Sequence, residues 1–101
     1  MSGLFKNKKY VTRGVQSTLP LEIQLLLWNM INDMKVSTKD YLQVFKFKII
    51  NKNKNLIEMQ HSQEKPKYTN SINIVMNIND PLTIFCIDDV THSTMLLSEE
   101  Y

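Results

Sequence analysis

Apolar residues recur at two different spacings along this chain of 101 residues. Between Leu19 and Lys35 the spacing is helical. At 100° per residue, Ile23, Leu26, Leu27, Met30, Ile31 and Met34 fill one arc, and Glu22, Asn29 and Asp33 lie opposite. Thr18-Leu19-Pro20 reads as the start of this helix. Threonine can cap free amides, proline is tolerated in the first turn, and Glu22 suits the positive end of the helix dipole. Leu21, Leu25 and Trp28 form a second apolar stripe outside the main arc, flanked by Gln24 and Asn32. A helix lying on one sheet has no use for that stripe, so either flanking chain or another molecule covers it.

After Lys35 the period falls to two. In Tyr41–Ile50, Phe45, Phe47 and Ile49 share one face and Lys46 and Lys48 the other, the pattern of a half-solvated strand. Asn51-Lys52-Asn53-Lys54-Asn55 is a polar turn, so a hairpin follows. Ile57, Met59 and His61 alternate with Glu58, Gln60 and Ser62 on the return. A charged loop spans 63–70. Ile72, Ile74, Met76 and Ile78 then alternate, and Leu82–Ile87 is almost continuously apolar, as in a central strand covered on both faces. A last strand is expected over Thr94–Ser98, and an early one over Tyr10–Val15. Residues 1–8 read as a loose leader.

Short connections between the later strands favour antiparallel pairing. The expected architecture is α+β. One long helix lies on one face of a curved, mostly antiparallel sheet of five or six strands, in the order strand, helix, strands. The length suits a single domain over residues 1–101.

Composition changes this picture little, but it narrows the chemistry. Alanine is absent, there are eleven lysines and ten asparagines, and Arg13 is the one arginine. Such a bias accompanies AT-rich coding, so a lysine excess is weak evidence of selected anion binding. Cys86 has no partner for a disulfide and sits in an apolar run, where a thiol packs as a small hydrophobe. The start of the chain lacks the apolar segment of a signal peptide, and no apolar stretch approaches a membrane span, so a cytoplasmic location is expected.

Charge is polarised along the sequence. All twelve basic residues lie at or before Lys67, with five acidic ones, for a net +7; residues 68–101 carry five acids and no lysine or arginine. Lys46, Lys48, Lys52 and Lys54, with Arg13 from the leader side, are a candidate anion-binding surface. Nucleic-acid recognition usually adds stacking aromatics, and Phe45 and Phe47 are expected to face away from these lysines. Asp88, Asp89 and His92 share a turn and could bind a metal or exchange protons if they converged in a pocket. His61 lies on an apolar face and reads as a hydrogen-bonded histidine at the core edge. No glycine-rich phosphate loop, nucleophile elbow or zinc signature is present, so neither a cofactor nor an enzymatic reaction is indicated.

Four segments together carry a resemblance to a known family: Tyr10-Val11-Thr12-Arg13-Gly14-Val15, Leu19-Pro20-Leu21-Glu22-Ile23-Gln24-Leu25, Asp40-Tyr41-Leu42-Gln43-Val44-Phe45, and the final stretch from His92 to Tyr101. With these the chain resembles the small proteins of low-GC Gram-positive bacteria grouped as domain of unknown function 960. The resemblance spans most of the chain and is weakest in the turn at 51–55. It implies a bacterial cytoplasmic protein and supplies no catalytic or binding residues.

Two function classes follow. One is a protein-interaction or homo-oligomeric module using Leu21, Leu25 and Trp28. The other is a nucleic-acid-associated accessory protein using the lysine surface. The first is preferred, because codon bias explains extra lysine more easily than an extra apolar stripe.

Overall fold

The computed structural model describes residues 4–101. Its elements run β1 (Lys8–Val11), α1 (Arg13–Thr18), α2 (Leu21–Asn32), β2 (Leu42–Asn51), β3 (Leu56–Gln63), β4 (Tyr68–Val75), β5 (Leu82–Asp88) and β6 (His92–Leu97). Short 3-10 turns occupy Lys52–Lys54 and Ser98–Glu100. The six strands form one sheet in the order β1-β6-β5-β2-β3-β4.

Four of the five pairings are antiparallel, as short connections favour. The fifth corrects the purely local reading. β1 pairs parallel to β6, with Lys8 opposite His92 and Val11 opposite Met95, so the sheet is mixed. A parallel neighbour needs a long crossover, and here the whole of the intervening chain provides it.

The expected strand over Tyr10–Val15 stops at Val11, because Thr12 ends it. The Thr12 hydroxyl accepts from the Val15 amide at 3.3 Å and caps α1. The expected helix from Leu19 is also shorter. The residue before a proline is pushed out of the α region, and Leu19 is extended at φ −107°, ψ 129°. That break separates α1 from α2, and Thr18 closes the first helix instead of capping the second. Gln24, buried on α2, donates its side-chain amide to the Leu19 carbonyl at 2.9 Å and so satisfies a group at the break.

One face of α2 supplies Ile23, Leu27 and Ile31, with Met34 just beyond. These pack in one core with Phe45, Phe47, Ile57, Met59, Ile84, Cys86 and Met95 from the sheet. Phe5 is 5% exposed, and its amide donates to the Asp88 carboxylate, so this part of the expected leader is anchored; residues 1–3 lie outside the described residues. β5 is central, as its apolar run suggests, but Phe85 and Ile87 on its second face are partly exposed. Asparagine does the work of glycine in the β2–β3 turn. Asn51 accepts from the Lys54 amide, and Asn55 adopts the left-handed region at φ 53°.

Candidate interaction surfaces

The outer stripe of α2 divides into two parts. Leu21 and Leu25 remain 66% and 53% exposed. Trp28 is half-buried against the core, and the Lys9 ammonium of β1 lies 5.6 Å from its ring centroid. Lys9 is held there by donating to the carbonyls of Phe5 and Asn7 at 2.7 and 2.8 Å. Its pKa lies below the usual lysine value, chiefly through burial, with Lys6 adding to the effect and Asp88 opposing it. The flanking chain therefore covers part of the tryptophan and leaves the two leucines bare.

The lysines fall into two groups. Lys46 and Lys48 are exposed on β2, and Lys52 and Lys54 are exposed on the turn that follows. The Lys52 ammonium donates to the Asn79 carbonyl at 3.3 Å. Arg13 opens α1 at the β1 edge, three strands away from β2, and does not join them. Phe45 and Phe47 point into the core, as expected.

The sequence pattern did not show what lies beside Lys46. Register places Thr83 opposite Lys46 and Phe85 opposite Val44, all on the sheet face turned away from α2. Phe85 meets Tyr101 edge to face at 5.7 Å. An indentation of about 520 Å³ opens here, with Leu42, Val44 and Phe85 as apolar lining and Lys46, Asp40 and Glu64 as charged lining. Glu58 stands opposite Lys48 across the β2–β3 pair. The face is thus mixed in charge, with an apolar centre.

The turn after β5 divides its polar side chains between the fold and the surface. Asp88 is buried and serves the fold: one carboxylate oxygen accepts from the Phe5 amide, the other from the Val90 amide at 2.6 Å. Asp89 is exposed and pairs with His92 at 3.2 Å. The His92 amide, donating to that carboxylate, holds its pKa below the usual range. His61 and His92 lie three strands apart, on opposite faces of the sheet. Among the described residues, no three His, Cys, Asp or Glu side chains group as metal ligands.

His61 is fully buried and belongs to a polar chain inside the sheet. Its Nε2 donates to Gln43 Oε1 at 2.7 Å, which fixes the tautomer, because an amide oxygen can only accept. Gln43 Nε2 donates to Gln63 Oε1 and to the Asp40 carbonyl at 2.7 and 2.8 Å. Gln63 donates in turn to the carbonyls of Thr38 and Pro66. This chain fastens the loops on either side of β2 and β3. The His61 ring stacks on Phe45 at 4.3 Å, and its Nδ1 has no hydrogen-bond partner among the described residues. Cys86 is fully buried, and burial pushes its thiol pKa up, which leaves an inert core thiol.

The model of the family described as "Staphylococcal protein of unknown function (DUF960)" matches residues 8–100. The chain belongs to this family. A DUF960 assignment over that span takes in every strand and both helices. The chain is also similar to a solved structure described as the crystal structure of a protein of unknown function from Enterococcus faecalis. The two share 26% identity and a TM-score of 0.81, over 100% of this chain and 98% of that one. No curated protein matches the chain. Among the described residues of this DUF960 protein, no helix is long and apolar enough to cross a membrane.

Proposed function

We propose that this protein acts as a protein-binding module, with the outer stripe of α2 inserted into an apolar groove of a partner. The observation that supports it is the exposure of Leu21 and Leu25 on a helix whose opposite face is already packed into the core. Leu21, Leu25 and Trp28 follow the 4,3 spacing of a helix read along one seam. Two leucines and an indole edge are a small footprint beside the roughly 800 Å² per side of a standard interface. An enclosing groove on the partner makes better use of so narrow a stripe than a flat surface does.

The test compares the chain with its Leu21→Ser, Leu25→Ser double variant. Both positions are exposed, so stability should stay within about 0.5 kcal/mol per site. A partner captured from the native cell should be lost with the variant at equal expression. Reconstituted from purified proteins, its affinity should fall at least tenfold. Equal binding by both forms would reject the proposal.

A second reading takes the open sheet face as a platform for single-stranded nucleic acid, because Phe85 and Tyr101 stand on the side of Lys46 and Lys48. Aromatic stacking with lysine contacts is the usual basis of such binding. Glu58 and Glu64 weigh against it. Retention on single-stranded RNA at low salt that is lost with Lys46→Glu would favour this reading, and no retention at low salt would end it.

A further inference from the structure

The two edges of the sheet are built differently. β1 is four residues long and carries Lys8 and Lys9. Short length and lysine are common protections against edge-to-edge pairing. β4 has neither. It is eight residues long, Tyr68-Thr69-Asn70-Ser71-Ile72-Asn73-Ile74-Val75, with no charged residue and no proline. Its register with β3 is uninterrupted over all eight pairs, so no bulge twists it away. Val75 is 72% exposed at its end.

We propose that a second copy of this chain pairs along β4, antiparallel and two-fold symmetric, joining two six-stranded sheets into one. The Met76 amide donates to the Asn55 carbonyl and so faces β3. In a regular antiparallel strand the facing groups alternate. Ile74, Ile72 and Asn70 therefore also bond inward, while Val75, Asn73, Ser71 and Thr69 turn their backbone groups outward. With Ile72 opposite its own copy, Ser71 meets Asn73 and Thr69 meets Val75 on the open face. Asn70 meets Ile74 on the helix face. Uncharged side chains thus meet on both faces, and no two charges oppose each other within the strand.

The flanking turns also match. Glu64–Lys67, net +1, lies at one end of β4, and Met76–Pro81, net −1, at the other. Antiparallel pairing brings the positive turn of each copy beside the negative turn of its mate. Because β1 is guarded, each chain offers one such edge, and the assembly closes at two instead of growing into a fibre. The proposal uses none of the α2 residues, so it and the function proposed above can fail separately.

Sedimentation of the purified full chain from micromolar to several hundred micromolar concentration, together with amide hydrogen exchange, tests it. The expected result is a dimer in which the Thr69, Ser71, Asn73 and Val75 amides become as slow to exchange as those of Asn70, Ile72 and Ile74. Asn73→Pro removes an outward amide and should raise the dissociation constant at least tenfold, while Leu21→Ser with Leu25→Ser leaves it unchanged. A monomer at every concentration would overturn the proposal. So would a dimer whose four outward amides exchange freely, since another surface would then hold it. The exchange measurement uses the unaltered chain, so the decision stands even if Asn73→Pro fails to fold.

Discussion

His61 is the residue whose protonation this fold resists most clearly. Burial lowers its pKa from 6.5 to about 4, and among the described residues the Nδ1 has no acceptor to receive a proton's hydrogen bond. The unfolded chain therefore binds a proton at a higher pH than the native one. The resulting stability is fully present above pH 6.5 and is lost as the pH falls toward 4, at about 1.4 kcal/mol per pKa unit of depression. Thermal melts should show a falling midpoint from pH 6.5 to 5, and His61→Gln should flatten that slope while keeping a donor for Gln43. A flat profile in the unaltered chain would contradict the buried neutral ring. The alternation of Ile57, Met59 and His61 made the burial of His61 legible. The glutamine partners were not legible, because Gln43 and Gln63 look like ordinary surface residues until the strands align them.

At the level of elements, period and turn chemistry located most of the secondary structure. The inward face of α2 and the alternating faces of β2 and β3 stand where the apolar spacing put them. α1 was missed because its signal, a capping threonine followed by Arg13 and Gly14, is short and competes with a β-branched run. Gly14 itself is explained by contact: a Cβ there would lie 2.6 Å from the Glu100 carboxylate and 2.7 Å from Leu97. The aromatic content of the open face was missed because Phe85 sits in a run with no period to assign its side. One turn is costly as built. Val90, between β5 and β6, holds φ 84° and is 83% exposed, so a β-branched residue occupies left-handed backbone without packing in return. Val90→Gly should stabilise the fold by about 1 kcal/mol, read as a higher unfolding midpoint in denaturant. A lower midpoint would show that the strain is not there.

The whole molecule rearranges what the linear sequence separates. Charge is basic early and acidic late, yet the strand order places β6 and β5 between β1 and β2. The acidic end of the chain thus sits among lysine-bearing strands, and the polarity seen in sequence becomes a mixed surface. No local pattern could reveal this, because it depends on a strand pair separated by more than eighty residues. The same topology leaves one edge guarded and the other open, and one face of the sheet covered and the other bare.

The pairing of β1 with β6 also fixes how the protein carries a load. The two strands run the same way, so tension applied between Lys8 and Leu97 pulls them along their lengths in opposite senses. Their hydrogen bonds, and the one from the Thr12 amide to the Met95 carbonyl, then bear the force together in shear instead of opening one after another like a zipper. A hairpin closing the sheet at that edge would peel; this arrangement makes the junction of the first and last strands a mechanical clamp.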